Sequence, residues 1–223
     1  MLPFADRSRA GEALAGRLES FAHRPDVMVL GLPRGGVVVA FEVARALSAP
    51  LDVFVVRKLG VPRFEELAFG AIASGGVRVL NHDIVAQAGL TREDIDAVTR
   101  REMEELARRE REFRGGRAAL DVAGKVVLLV DDGLATGATM RAAVMALREM
   151  GPREVVVAVP VGSAEICEQM RGIADGVVCV ATPEPFLGVG RWYEDFEQTG
   201  DEQVRELLER ARGGEAEVRH DRV

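Results

Sequence analysis

Five short stretches of this chain are apolar almost without a break: Val27–Leu30, Leu51–Val56, Val126–Val130, Glu154–Val159 and Gly176–Val180. A strand with one wet face alternates apolar and polar residues. Nearly unbroken runs of this length describe strands buried on both faces. Between them the spacing turns helical, over 37–47, 138–150 and 164–172, and Gly151-Pro152 stops the second of these helices. A further helical spacing, at Ala10, Leu14, Leu18 and Phe21, falls within 6–23. Strands alternating with helices predict an α/β fold, a parallel sheet with helices on both faces. With 223 residues, 48% of them hydrophobic, the chain has the apolar material to bury such a sheet.

Two segments stand outside the alternation. The first, 60–116, separates the second and third strands by far more than an ordinary crossover. It holds short β-like pieces at Ala71–Ile72 and Val77–Leu80 around Ser74-Gly75-Gly76, then a helix from Thr91 to Phe113. Thr91 and Asp94 have the spacing of a capping box. The charges of that helix are nearly balanced, so it reads as a solvated surface, not a nucleic-acid arm. The second segment follows residue 182. It carries Pro183, Pro185, Gly188, Gly190, Trp192 and Tyr193, then a helix that Thr199 and Glu202 would cap. Gly213-Gly214 is expected to end this helix and leave an unstructured charged tail. The expected organisation is a core over 1–182 with an insertion at 60–116, an appended segment at 183–212 and a tail at 213–223.

The most specific chemistry lies in Val126-Val-Leu-Leu-Val-Asp131-Asp132-Gly-Leu-Ala135-Thr136-Gly137-Ala138-Thr139. An apolar strand delivers two adjacent carboxylates to its carboxyl end. Such a pair can accept hydrogen bonds from vicinal hydroxyls or hold a divalent cation through oxygen. The loop from Leu134 to Thr139 has little side-chain bulk, so its N–H groups can close around a phosphate at the start of the next helix. A nucleotide P-loop would need a Lys after its glycines, and none follows Lys125. A second glycine loop, Gly31-Leu32-Pro33-Arg34-Gly35-Gly36, ends the first strand and pairs bare N–H groups with a guanidinium suited to phosphate.

The Val126–Thr139 segment resembles the phosphoribosyl diphosphate (PRPP) signature of the type I phosphoribosyltransferases. That signature is an apolar strand, two acids, three variable residues, Thr or Ala, Gly, any residue, then Thr. The resemblance implies a Mg²⁺-dependent enzyme that moves a phosphoribosyl group between PRPP and a nitrogenous base, releasing pyrophosphate. It implies Asp131 and Asp132 on the ribose hydroxyls or, indirectly, the metal, and Ala135, Thr136, Gly137, Ala138 and Thr139 on the 5′-phosphate. It implies Pro33, Arg34, Gly35 and Gly36 on the pyrophosphate, in a loop that often contains an unusual cis peptide. Arg57 and Lys58, read as ending the second strand, would join them from the same sheet edge. The insertion falls where the family carries a flexible catalytic loop, although here it could equally form a dimer surface or a fixed subdomain. A hood built from the chain ends recognises the base in this family. Phe186, Trp192 or Tyr193 would stack on the base and Glu194 or Asp195 accept from it, unless these aromatics only pack the hood.

Homodimers are usual in the family. A non-catalytic sensor of PRPP or a nucleotide, and a hydrolase or phosphorylase acting on a ribose phosphate, are the alternatives. The net charge of −7 argues against broad nucleic-acid binding. No apolar run approaches the roughly 20 residues of a membrane span, and the first 17 residues lack a signal peptide's apolar centre. Cys167 and Cys179 fit no metal or redox spacing and read as reduced core residues, so a cytoplasmic location is expected.

Overall fold

The structure, a computed structural model, describes residues 2–115 and 119–220, with 214–220 by their backbone alone. Helix α1 (Arg7–Ala15) begins where Asp6 accepts from the Arg9 N–H, and it ends short of the expected 6–23 in a single 3₁₀ turn. Strand β1 (Val27–Gly31) leads into α2 (Gly35–Leu47), and β2 (Leu51–Val53) returns alongside β1. Further along, β6 (Val126–Val130), α5 (Ala138–Glu149), β7 (Glu154–Val161), α6 (Ala164–Arg171) and β8 (Gly176–Ala181) complete the alternation. The strands form one parallel sheet in the order β2-β1-β6-β7-β8. Val126, Leu128 and Val130 enter one hydrophobic core and Val127 and Leu129 the other, so both faces of β6 are buried as its composition requires.

The second apolar run departs from expectation. Leu51–Val56 is not one strand: β2 stops at Val53, and β3 (Val56–Val61) belongs to a separate antiparallel sheet with β4 (Phe64–Ala73) and β5 (Val77–Leu80). Phe54 and Val55 form the joint and are fully buried. An edge strand has a single neighbour, so the chain can leave the sheet if its freed N–H groups find other partners. They do. The Phe54 N–H donates to the Gly31 carbonyl at 3.0 Å, and the Val55 N–H to the buried Ser74 Oγ at 3.0 Å.

The insertion is structured over its described residues, 60–115. After β5 come α3 (His82–Gln87), capped by Asn81, and α4 (Arg92–Arg114), opened by the expected Thr91–Asp94 capping box. Helix α4 packs on β3 and on α7 (Asp201–His220), and the small sheet packs on α5. Two ion pairs fasten α4: Arg114 meets Asp52 at 2.9 Å in a buried pair, and the partly exposed Arg57 meets the buried Glu102 at 2.7 Å. Helix α7 runs through Gly213-Gly214 instead of ending there. An interior glycine costs a helix only about 0.5–1 kcal/mol against alanine, and Gly213 does not take the left-handed backbone that would terminate it. Residues 221–223 of the expected tail lie outside the described residues. Cys167 is buried and Cys179 half-buried, both as free thiols. Among the described residues no helix is long and apolar enough to cross a membrane.

Candidate functional site

The parallel register sets Gly31 beside Val130, so the segments that follow β1 and β6 emerge side by side at one sheet edge. Asp131 and Asp132 stand at that edge, each half-buried. The Asp132 N–H donates to Asp131 Oδ1 at 2.8 Å. Burial, reinforced by the neighbouring Asp132 charge, pushes the Asp131 carboxyl well above its ordinary range.

The glycine loop lies directly against these acids. A Cβ on Gly35 would sit 2.0 Å from Asp132 Oδ2, and one on Gly36 would sit 2.8 Å from the Asp131 Cα. Only glycine fits at either position. The Pro33–Arg34 peptide is cis, the feature the resemblance led one to look for in this loop. Arg34 begins α2 and reaches across to Asp201 at 3.6 Å, at the start of α7.

Beyond the acids, Gly133 packs on Val189, and Leu134 is buried and bonded to Val161 and Ser163. Ala135, Thr136, Ala138 and Thr139 are exposed around Gly137, which heads α5 with a φ of +70°. Helices α2 and α5 share an unusual property. Among the described α-helices they alone start with neither a side-chain cap nor an acid in the first turn. Apart from a long bond of 3.5 Å from the Ala138 N–H to Thr136 Oγ1, their first N–H groups lack a side-chain partner among the described residues, and each helix start carries partial positive charge. Two helix starts of a kind suited to anions thus flank a pair of carboxylates.

Lys58 and Arg57 do not lie at a strand end. Both sit within β3, because the run containing them changes sheet at Phe54-Val55. Arg57 is engaged with Glu102. Lys58 lines a cavity of about 270 Å³ between the small sheet and α5, together with Asn81, Arg141 and Met145. The expectation that this pair ends a strand of the parallel sheet is thus corrected, while Lys58 shares its cavity with Ala138 at the start of α5.

The chain ends meet in a small third core of Phe4, Ala10, Val161 and Tyr193, with Phe186, Val189 and Trp192 packed against it. Backbone bonds from Phe4 to Trp192 and Glu194, and from Ala5 to Asp195, stitch the two ends together. Tyr193 is only 6% exposed, lies between the rings of Phe4 and Phe196, and donates its hydroxyl to the Asp132 carbonyl at 2.5 Å. Its ring is buried in packing, without an open face for a ligand. Phe186 and Trp192 are half-buried in the same cluster.

One residue escaped the sequence reading. Arg7 Nε donates to Asp132 Oδ2 at 2.8 Å across 125 residues of sequence, its Nη1 donates to the Glu197 carbonyl at 2.7 Å, and its guanidinium covers the Phe196 ring at 3.9 Å. An arginine in a first helix carries no local pattern that would single it out. Among the described residues no group of three or more His, Cys, Asp or Glu is arranged to hold a metal. Any cation here would draw most of its oxygens from a ligand and from water.

Known proteins resemble this chain over most of its length. The profile of the phosphoribosyl transferase domain matches residues 7–180. Two Mycobacterium tuberculosis proteins, from strains CDC 1551 and H37Rv and both named provisionally as phosphoribosyl transferases, are 52% identical over 96% of this chain. The chain spans 48% of their length. The crystal structure of TT1426 from Thermus thermophilus superposes with a TM-score of 0.83 at 43% identity, covering 92% of this chain and 97% of that one.

Proposed function

Because this chain belongs to the phosphoribosyl transferase family, we propose that it transfers a phosphoribosyl group between PRPP and a nitrogenous base, with release of pyrophosphate. The observation that carries this reading is the pair of uncapped helix starts on one sheet edge with two carboxylates between them. PRPP has the matching outline: phosphate at one end, diphosphate at the other, and a ribose diol between.

In this reading Ala135–Thr139 receive the 5′-phosphate on the first N–H groups of α5. Pro33, Arg34, Gly35 and Gly36 receive the diphosphate, with the bare glycine backbone allowing close approach and Arg34 adding charge. Asp131 and Asp132 accept from the ribose hydroxyls and hold the sugar while the anomeric bond breaks. Charge accumulates on the departing pyrophosphate as positive character develops on the sugar, and a cradle already in place stabilises it without reorganisation. Magnesium, when bound, would neutralise part of the diphosphate charge. Asp131 and Asp132 supply hard oxygen donors suited to it, and the diphosphate and water would supply the remaining oxygens. Phe186 and Trp192, in the hood core, are the proposed neighbours of the base, whereas Tyr193 acts from beneath through its bond to Asp132.

The test is pyrophosphate release from PRPP with Mg²⁺ across pools of purines, pyrimidines and nicotinate-like acids, with Asp131→Asn/Asp132→Asn as control. Release with one pool, absent in the control, is the expected result and begins to identify the acceptor. Silence in every pool while PRPP still raises the unfolding temperature would convert the reading to a sensor. Turnover of a ribose phosphate without PRPP would indicate a hydrolase or phosphorylase. Silence without thermal protection would remove PRPP altogether.

A further inference from the structure

The two signature acids have four carboxylate oxygens, and two of these are already occupied. Asp131 Oδ1 accepts the Asp132 N–H, and Asp132 Oδ2 accepts Arg7 Nε. Among the described residues Asp131 Oδ2 and Asp132 Oδ1 have no partner, which leaves one acceptor oxygen on each acid.

We infer that Arg7 is a positioning residue of this site: by taking up one oxygen of Asp132 it makes the acid pair a matched acceptor for a vicinal diol, one oxygen per hydroxyl. The inference rests on the proposed function and deepens it, since it assigns the choice of a ribosyl over a 2-deoxyribosyl phosphate to a residue outside the signature.

The geometry around Arg7 supports a built position. The Arg7 side chain is 11% exposed and its partner Asp132 17%. Three contacts from two parts of the chain fix the guanidinium: Asp132 after β6, and the Glu197 carbonyl with the face of Phe196 in the appended segment. The planar fork suits this arrangement, since it can donate in two directions while its face stacks on a ring. The position is also adjacent to the diphosphate loop, because a Cβ on Gly35 would meet Arg7 Nε at 2.7 Å. Stability is a poor reason for such a pair. Removing charges from water is expensive, and apolar residues of similar volume often serve as well or better. The effect on the ligand site is direct. Without Arg7, Asp132 could turn its carboxylate freely, and the match of one acceptor oxygen to each hydroxyl would be lost.

Ribose 5-phosphate, 2-deoxyribose 5-phosphate and inorganic phosphate are titrated calorimetrically into the unaltered protein, Arg7→Met and Phe196→Ala, with thermal unfolding measured alongside. The unaltered protein is expected to prefer ribose 5-phosphate over its 2-deoxy analogue. Arg7→Met should reduce that preference by about tenfold or more, the scale of one hydrogen bond to a charged group. Phe196→Ala should reduce it in the same direction by less, and inorganic phosphate, which needs only the α5 cradle, should bind all three alike. A merely structural role would move the unfolding temperature and leave the ratio intact. An undiminished preference in both variants, or in Phe196→Ala alone should Arg7→Met not fold, would overturn the role of Arg7 while leaving the proposed function standing. Failure of the unaltered protein to bind either sugar phosphate would overturn the role of Arg7, and the proposed function would then be decided by the PRPP measurement alone.

Discussion

Asp131 and Asp132 are neighbours in sequence with different surroundings. Asp132 faces a guanidinium, and Asp131 is held among buried groups with a like charge beside it. A carboxyl whose proton is held more tightly in the folded chain lowers stability as pH rises from the ordinary aspartate range through the raised value. Asn at position 131 removes that penalty and can still accept the Asp132 N–H. Asp131→Asn is therefore expected to unfold at a higher temperature than the parent near neutral pH, with the gain shrinking as pH falls toward about 4. Thermal unfolding across that range checks it, and a gain that does not change with pH would count against the buried-charge account. At this scale the signature acids and the glycines were legible, because adjacency in sequence guarantees adjacency in space. Arg7 was not. Its meaning comes from a partner 125 residues away.

At the scale of elements, the unbroken apolar runs foretold parallel strands, buried on both faces in β6 and β7 but only half-buried throughout the edge strand β8, and Thr91 with Asp94 foretold the start of α4. The run from Leu51 to Val56 misled, because composition alone does not distinguish one six-residue strand from the halves of two. What separates them is a hydrogen bond from the Val55 N–H to Ser74, supplied from 19 residues further on. Ser74→Ala leaves that buried N–H without an acceptor and is expected to destabilise the chain by about 1–3 kcal/mol. Urea denaturation gives the value, and a change within about 0.5 kcal/mol would mean that the joint relaxes to another partner. The same joint explains why Arg57 and Lys58 are found inside β3.

For the molecule as a whole, the closing of the chain on itself decides how the site is backed. Residues near the N-terminus and the segment after β8 share a small core, and Tyr193 and Arg7 carry its constraint to Asp132. Phe4→Ala removes a buried ring from that core, a change typically worth about 3–5 kcal/mol. Because this core is small and reaches the sheet only through Val161 and Val180 at the ends of β7 and β8, its loss should act locally: amides over 183–197 are expected to exchange faster while those of β6 keep their protection. Hydrogen exchange distinguishes this from a hood and sheet that open as one unit, in which both sets would accelerate together.

The amino-acid sequence by itself determined the α/β class, the order of the parallel strands' helices along the chain, and the acid pair with its loop of small residues. Each of these depends on residues within one turn or one strand of each other, where covalent spacing dictates geometry. Only the tertiary structure decided that Arg57 and Lys58 serve a second sheet, that Tyr193 faces inward and that α7 continues past its glycines. It alone brought Arg7 onto Asp132. Those outcomes depend on which distant groups satisfy buried hydrogen-bond donors and charges, and that competition is resolved only when the whole chain is packed.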